Sequence, residues 1–241
     1  MIYHGDCLEI MPTLADKSVD MILCDLPYQT TACKWDVLIP FEPLWKQYKR
    51  LIKDNGAIVL TASQPFTSAL VMSNPGWFKY SWVWDKALPT GHLNANNRPM
   101  KRHEDVLVFS GGKCPYYPAM RQGRMRARGG GNASPVYGKC VPMRSYSDQY
   151  YPTSIIEIHN ADQTKKVHPT QKPVALFEYL IRTYTNEGDT VLDNCAGSFT
   201  TAIACMNTNR KYICIEKDDK YFEIGKDRIA NHQPLFQAVA Q

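Results

Sequence analysis

The sequence has no apolar run that approaches the roughly 18 residues of a membrane-spanning helix. Its first residues, Met1 to Asp6, have neither a basic start nor an apolar core, so we expect no signal peptide. None of the 8 cysteines form a C-x-x-C pair, and several lie within apolar, strand-like runs. These absences favour reduced, mostly buried thiols in a cytoplasmic protein without a metal. A zinc site built from Cys114 and Cys140 is a minor alternative, since the usual ligand spacing is absent.

What the sequence does have is a very uneven distribution of charge. Residues 86–172 contain 14 Lys and Arg against 5 Asp and Glu, so this window carries +9, while the rest of the chain carries −4. A basic middle within a mildly acidic frame indicates a polyanionic partner. With 241 residues and 44% hydrophobic content, the chain fits one α/β domain with an insertion.

The frame on either side of the basic middle alternates strand and helix patterns. Buried apolar runs predict strands, and apolar residues at helical spacing predict amphipathic helices. The predicted strands are 19–24, 57–62, 77–86, 105–109, 190–193 and 212–216, and the predicted helices are 41–52, 65–73, 176–184, 199–207 and 218–230. Asn55-Gly56 is expected to end the first of these helices. Between Ser110 and about Asn160 the periodicity disappears, which predicts an insertion or long loops.

The first predicted strand ends at the tetrapeptide Asp25-Leu26-Pro27-Tyr28. Pro27 has no backbone donor and therefore ends the strand. A carboxylate, free carbonyl groups and an aromatic ring then lie together at the carboxyl end of a strand, which is the edge where open α/β sheets bind ligands. Taken singly, Asp25 could also be an ordinary loop or helix-capping carboxylate.

A second strand-end motif follows near the other end of the chain. The sequence V-L-D-N-C-A-G-S-F-T-T at 191–201 predicts a strand, a turn of small residues and the start of a helix. Gly197 permits close backbone approach, and the helix N-terminus offers free N–H groups. Glu216 lies 23 residues after Asp193, near the spacing at which an acidic side chain holds a ribose diol. The pattern predicts a nucleoside-binding βαβ unit, with a plain Rossmann-like turn as the alternative.

Together, these motifs resemble those of the β-class amino-group DNA methyltransferases, which use S-adenosylmethionine. Asp25 to Tyr28 is similar to their D-P-P-Y tetrapeptide, and residues 193–201 are similar to their D-P-F-A-G-S-G-T-T loop. H-P-T-Q-K-P at 168–173 and G-D-C at 5–7 also match. The resemblance covers roughly residues 1–110 and 165–230. It implies a permuted Rossmann-like α/β fold in a single domain, residues 1–241, with 110–165 as an inserted target-recognition region.

The resemblance also implies a role for each matching residue. Asp25 and the backbone carbonyl of Leu26 would hold the amino group of the target base, and Pro27 and Tyr28 would complete the site, with Tyr28 stacking on the base. The base would first flip out of double-stranded DNA. The residues expected to bind the cofactor are Asp6 and Cys7 at its adenine, Glu216 at its ribose, and Lys172, Asp193, Cys195, Ala196, Gly197 and Ser198 at its methionine part.

The expected activity is transfer of a methyl group to N6 of adenine, because the family's cytosine-N4 enzymes more often begin the tetrapeptide with Ser. The alternatives are methylation of cytosine N4, methylation of RNA or protein, and a homologue that binds nucleic acid and the cofactor without turnover. The basic run R-x-x-R-x-R-x-R is expected to contact DNA phosphates through Arg121, Arg124, Arg126 and Arg128, unless it is only a solvated surface. By the same resemblance, a homodimer is plausible.

Three positions depart from the family pattern. Leu26 replaces the first proline of the tetrapeptide, and Asn194-Cys195 replaces Pro-Phe in the cofactor loop. Phe199 stands where the family has its last glycine. The large side chain of Phe199 either narrows the cofactor pocket or points away from it.

Overall fold

The computed structural model describes residues 1–29, 36–128, 145–160 and 171–233. The strands are β1 (Ile2–His4), β2 (Val19–Cys24), β3 (Ile52–Ala62), β4 (Phe78–Thr90), β5 (Lys101–Phe109), β6 (Arg121–Arg128), β7 (Ser145–Tyr150), β8 (Ile155–Glu157), β9 (Thr190–Asp193) and β10 (Lys211–Glu216). The α-helices are α1 (Cys7–Ile10), α2 (Phe41–Leu51), α3 (Phe66–Ser73), α4 (Val174–Tyr184), α5 (Thr200–Asn207) and α6 (Asp219–Ala230). Short 3₁₀ helices lie at Met11–Thr13 and His92–Asn94.

Eight of the strands form one mixed sheet in the order β1-β10-β9-β2-β3-β5-β4-β8. The five neighbouring strands β1, β10, β9, β2 and β3 pair in parallel. The strands β4 and β8 also pair in parallel. Among the described strands of this sheet, only β5 runs antiparallel to its neighbours. The expected Rossmann-like α/β fold is confirmed.

The connections between the strands show where the sheet opens a crevice for a ligand. The strands β2 and β9 lie side by side at the centre, and α2 leads from β2 to β3 on one side while α5 leads from β9 to β10 on the other. Such a topological switch point opens a crevice outside the carboxyl ends of the strands. The N-terminal strand β1 pairs with β10, so the first and last strands of the sheet meet at the same edge.

The central strand β2 is buried on both faces, which explains its unbroken apolar sequence. Ile22 and Cys24 pack into one core cluster with residues of α2 and α3, while Met21 and Leu23 pack into another with residues of α4. All four side chains have 0% exposure. Burial of an aliphatic side chain of this size contributes about 1.5–3 kcal/mol relative to exposure, so both layers anchor the strand that carries Asp25.

Two local predictions were wrong. Asn55-Gly56 does not end a helix, because α2 stops at Leu51 and β3 already begins at Ile52. In the pairing of β3 with β2, Val19 lies opposite Ile52 and Met21 opposite Ala57, so residues 53–56 form a bulge near the start of the strand. Of the two alternatives for residues 110–160, the long loops were wrong, since β6, β7 and β8 lie there.

The strands β6 and β7 pair antiparallel in a sheet of their own, within a compact unit formed by residues 118–153. The ring of Tyr150 lies against Gly123, where an added Cβ would be 2.6 Å from the ring. The Tyr150 hydroxyl donates a hydrogen bond to the carbonyl of Arg124 at 2.8 Å. Most side chains of these strands are exposed. A strand without a buried face carries no apolar alternation, which is why these two strands could not be predicted from the residue pattern.

Within the described ranges, no helix combines the length and the apolar character that crossing a membrane requires. All six cysteines in the described part of the chain are free thiols, namely Cys7, Cys24, Cys114, Cys195, Cys205 and Cys214. Cys140, which the minor zinc alternative needs, lies outside the described residues. No group of three or more His, Cys, Asp or Glu side chains in the described part of the chain is arranged to hold a metal ion.

Candidate active site

The strand-end residues singled out in the sequence meet around one cavity of about 1320 Å³. Asp25 follows β2, Asp193 ends β9, and Glu216 ends β10. Parallel strands present their carboxyl ends at the same edge of a sheet, so these carboxylates line a common space. Asp6, which follows β1, lines the same cavity.

Asp25 is held from both sides of its carboxylate. The Tyr28 hydroxyl donates a hydrogen bond to Oδ1 at 2.7 Å, and the hydroxyl of Thr61 on β3 donates to the same oxygen. On the other side, Lys172 Nζ donates to Oδ2 at 2.7 Å. A carboxylate offers about four acceptor positions, so one position on Oδ2 remains for a ligand.

The rest of the tetrapeptide is anchored by packing. The side chain of Leu26 is buried within the core cluster on the α2 side of the sheet, so leucine is accommodated where the family has proline. Pro27 lines the cavity. The ring of Tyr28 stacks on Phe66 with centroids 4.9 Å apart, and burial raises the pKa of its hydroxyl well above the usual range.

A buried charge network continues from Asp25. Lys172 Nζ lies 3.4 Å from Glu104 Oε2, and Lys86 Nζ lies 3.2 Å from Glu104 Oε1. Burial would raise the pKa of Glu104, but the positive charges of Lys172, Lys86 and Lys101 lower it overall. Burial would likewise lower the pKa of Lys172, but Asp25 and Glu104 raise it. The arrangement therefore keeps both groups charged.

Lys172 was expected at the methionine part of the cofactor, and the structure places its ammonium beside Asp25. It still lines the shared cavity, so its cofactor role stays a prediction. Thr61, Lys86 and Glu104 were missed. Glu104 reaches the site because β5 is antiparallel and therefore presents its amino end where the other strands present their carboxyl ends. A charged residue at the start of a strand indicates a site at this edge of the sheet only when the strand is known to run antiparallel.

At the cofactor half, Glu216 is held by three backbone N–H groups. Gly197 donates to Oε2 at 2.7 Å, while Lys217 and Asp218 donate to Oε1 at 2.9 and 2.8 Å. Burial raises the pKa of this carboxyl. One acceptor position remains on Oε2, on a carboxylate that lines the cavity. A hydroxyl group of a ligand fits that position.

Asp6 lines the same cavity and caps the N-terminus of α1. Its Oδ1 accepts the backbone N–H of Leu8 at 2.9 Å, and its Oδ2 pairs with Lys217 Nζ at 2.9 Å. Cys7 is buried beside Asn194 and Cys195. The predicted adenine and ribose contacts therefore lie at neighbouring strand ends, since His4 of β1 pairs with Glu216 of β10.

The turn after β9 is organised around Asp193. Its Oδ1 accepts the backbone N–H of Cys195 at 3.1 Å, and its Oδ2 accepts the hydroxyl of Thr201. Burial raises the pKa of Asp193 to about 7. Gly197 has a φ of 52°, a left-handed conformation that glycine adopts without strain. Ala196, Gly197 and Ser198 all line the cavity.

The side chain of Phe199 points away from the cavity. It is fully buried between α5 and α6, where its ring meets Phe222 edge-on with centroids 5.8 Å apart. Gly225 of α6 makes room for it, because a Cβ there would lie 2.6 Å from the Phe199 ring. Replacement of the family's glycine by Phe199 therefore leaves the cofactor pocket open.

The predicted DNA-binding arginines lie in the separate unit 118–153. Arg121, Arg124 and Arg126 are exposed on β6, and the Arg126 guanidinium lies 5.5 Å from the centroid of the Tyr150 ring. Arg128 ends the strand, and its side chain lies outside the described part, as do His168, Pro169 and Thr170 of the H-P-T-Q-K-P motif. This unit contains six basic and one acidic residue, so it carries the whole formal charge of +5.

A crevice lined by strand-end carboxylates at the switch point of an open α/β sheet is typical of proteins that bind a nucleotide or nucleoside ligand. The sequence model of the DNA methylase family matches residues 19–227, so the chain belongs to this family. The expected family, the β-class amino-group DNA methyltransferases, is thereby confirmed, and S-adenosylmethionine is confirmed as the cofactor.

Named relatives agree with this assignment. Type II methyltransferase M.HpaI of Haemophilus parainfluenzae is 28% identical over 251 residues, covering 98% of this chain and 76% of the relative. DNA adenine methyltransferase YhdJ of Escherichia coli (strain K12) is 28% identical over 250 residues, covering 96% of this chain and 83% of the relative. The crystal structure of an M1.HpyAVI–SAM complex is 27% identical, with a TM-score of 0.66 and coverage of 95% and 98%.

Proposed function

We propose that this protein transfers a methyl group from S-adenosylmethionine to N6 of an adenine that is flipped out of a specific double-stranded DNA sequence. The observation that carries the proposal is the position of Asp25. Its carboxylate is fixed by Tyr28, Thr61 and Lys172, and it lines the same cavity as the carboxylates of Asp6 and Glu216. The relatives named DNA adenine methyltransferase and Type II methyltransferase support the choice of substrate.

The residues of the cofactor half fit S-adenosylmethionine. Glu216 has one acceptor position left for a ribose hydroxyl, and the backbone turn at Ala196 to Ser198 lies next to it. When bound, the cofactor supplies a methyl group already activated by a sulfonium. Asp193 and the adjoining turn would hold its methionine part, and Asp6 and Cys7 would hold its adenine.

The chain's own contribution to the chemistry is positioning. An exocyclic amine is a poor nucleophile because its lone pair is delocalised into the ring. The free acceptor position of Asp25 and the Leu26 carbonyl would hold the two N–H groups and turn the lone pair out of the ring plane. Because Tyr28, Thr61 and Lys172 already fix the carboxylate, little reorganisation is needed when the base arrives. The proton that the nitrogen then loses can leave to water.

Lys172 and Glu104 would act as positioning residues in this scheme. Lys172 bridges Asp25 and Glu104, and Lys86 holds the far side of Glu104. The side chains of Lys172, Glu104 and Lys86 are all largely buried, so solvent ions screen the charges of this network only weakly. It would hold the catalytic carboxylate in one orientation.

The first test is transfer of labelled methyl from S-adenosylmethionine to unmethylated DNA, followed by digestion to nucleosides and mass analysis. N6-methyladenine is the expected product. N4-methylcytosine would keep the mechanism and change the substrate. Label in RNA or protein, but not in DNA, would overturn the proposal.

We also propose that the β6–β7 unit contacts DNA phosphates. Replacing both Arg124 and Arg126 by Ala should weaken DNA binding and reduce the slope of log affinity against log salt by about 2. The double variant Lys46→Ala/Lys49→Ala removes the same charge from exposed positions on α2 and is the matched control. Equal slopes for the two double variants would remove β6 from the interface.

A further inference from the structure

The hairpin formed by β4 and β5 extends beyond the body of the sheet at the rim of the cavity. Asp85 pairs with His103, but the next pair is Thr90 with Lys101, so residues 86–89 lie opposite Arg102 alone. This bulge contains Ala87 at a φ of 62°, a left-handed conformation that is uncommon for alanine. Bulges of this kind re-aim the side chains of a strand next to functional sites.

The bulge places part of the hairpin on the wall of the cavity. Lys86 turns inward to Glu104, while Leu88, Pro89 and Thr90 line the cavity mouth. Lys101 lines it from the other strand. The hairpin is therefore continuous with the space in which Asp25 would receive a base.

The tip of the hairpin exposes three apolar side chains, of which Leu88 lines the cavity. Leu93 is 87% exposed on the 3₁₀ helix His92–Asn94, and Leu88 is 67% exposed. Met100, at the far side of the tip, is 40% exposed. Single exposed apolar residues are ordinary on protein surfaces. Three of them lie within one short hairpin whose base lines the cavity, and they are available for an apolar contact with a partner.

The charge of the hairpin indicates which partner that surface meets. Residues 86–103 contain four Lys and Arg and no Asp or Glu. Lys86 and Arg102 are paired with Glu104 and Asp85, whereas Arg98 is exposed at the tip. An apolar tip within a stretch that has no acidic residue is complementary to a duplex whose phosphates flank an opened base step.

We propose that the hairpin tip, residues 88–100, enters the DNA duplex at the target pair, with Leu93 filling the gap that the flipped base leaves and Arg98 contacting a flanking phosphate. The inference rests on the proposed function. Flipping a base costs a few kcal/mol in lost pairing and stacking. An inserted leucine restores part of the lost apolar contact. The tip would thus favour the extrahelical base that Asp25 requires.

The test uses the full chain and the sequence that the wild-type protein methylates, mapped beforehand on unmethylated plasmid DNA. Two duplexes carry this sequence, one with the target adenine paired and one with it mismatched. Leu93→Ala should lower kcat/KM on the paired duplex by about 10-fold and on the mismatched duplex by less than about 3-fold, because a mismatched base is easier to flip. Leu93→Met should retain most activity on both.

Two further readouts separate a wedge from a general defect. With 2-aminopurine at the target position, Leu93→Ala should reduce the rise in fluorescence that accompanies flipping. Arg98→Ala should weaken binding to both duplexes equally and reduce the salt slope by about 1. Met72→Ala, at a 72% exposed methionine on α3, is the matched control and should change neither readout.

The outcomes also distinguish the two proposals. Equal losses on paired and mismatched duplexes, or no loss at all, would overturn the wedge while leaving adenine methylation intact. A change in sedimentation of Leu93→Ala with equal losses would assign the surface to a second copy of the chain instead. If the wild-type protein methylates no adenine, the proposed function itself fails.

Discussion

Lys172 Nζ lies 2.7 Å from Asp25 Oδ2, although 147 positions separate the two residues in the chain. Asp25 follows β2, and Lys172 immediately precedes Pro173 and α4, which packs across β2 and β3. The motif at 168–173, which contains Lys172, is thereby joined to the tetrapeptide at 25–28 by the packing of one helix on the sheet. This contact makes the two motifs parts of one site.

Lys172→Met should destabilise the protein strongly, because it leaves Asp25 and Glu104 facing each other without the intervening positive charge. Breaking a buried ion pair costs about 3–5 kcal/mol of unfolding free energy. Lys226→Met removes a lysine from the exposed pair with Glu223 and should cost less than about 1 kcal/mol. Urea unfolding measures both. Equal, small effects would mean that Lys172 does not hold the two carboxylates.

Asp25→Ala should abolish methyl transfer, because it removes the side-chain acceptor for the amino group of the base. Cofactor affinity should stay nearly unchanged, since Glu216, Asp193 and the turn after β9 are untouched. Labelled-methyl transfer and calorimetric titration with S-adenosylmethionine measure the two effects. Retained activity would contradict the proposed mechanism.

Glu216→Gln should weaken cofactor binding by about 10- to 100-fold, equivalent to roughly 1.4–2.8 kcal/mol. The carboxamide has one oxygen where the carboxylate has two, so it cannot accept the N–H groups of Gly197, Lys217 and Asp218 together. Calorimetric titration with S-adenosylmethionine provides the measurement. Glu223→Gln, on the exposed face of α6, is the control. Identical affinities for the two variants would place the ribose elsewhere.

Gly225→Ala should destabilise the fold by about 1–3 kcal/mol, because the new Cβ would overlap the Phe199 ring. Alanine alone would favour the helix by about 1 kcal/mol, so a net loss of stability requires the clash. Gly76→Ala, where no atom lies within 4 Å of the new Cβ, is the control. Adding Phe199→Leu to Gly225→Ala should recover part of the loss. A stabilised Gly225→Ala variant would show that Phe199 points elsewhere.

The buried carboxyl of Asp193 should make the cofactor-free protein less stable as the pH rises from 4 to 7. Because burial raises its pKa from 3.8 to about 7, the folded chain holds a proton that the unfolded chain has already released over this range. At pH 7 and above, the raised pKa of Asp193 lowers the unfolding free energy by roughly 4 kcal/mol relative to its value at low pH. Asp193→Asn should remove it, so the difference in unfolding free energy between the two proteins should change with pH. A constant difference would refute the raised pKa.

The tetrapeptide at 25–28 and the turn after β9 could be predicted because each is a local pattern, an apolar run followed by small, acidic or proline residues. The parallel direction of β2, β9 and β10 then placed Asp25, Asp193 and Glu216 at one edge. Their assigned contacts with base and cofactor, like the DNA contacts of the arginines, stay predictions.

The rest of the site depends on pairings that no local pattern encodes. Thr61 reaches Asp25 because β3 lies beside β2, and Glu104 reaches Lys172 because β5 runs antiparallel. The antiparallel pair β6 and β7 was not predicted, for another reason. Its strands have little buried surface, so no hydrophobic alternation marks them.

The segment from Pro118 to Thr153 is contiguous and has a formal charge equal to the net charge of the whole chain, whereas the described residues that line the cavity belong to the other unit. A related chain can therefore exchange this one stretch for another without altering the carboxylates of the cavity. If the unit 118–153 contacts DNA as proposed, exchange of this stretch would change the sequence preference, while the residues proposed for methyl transfer would be inherited unchanged.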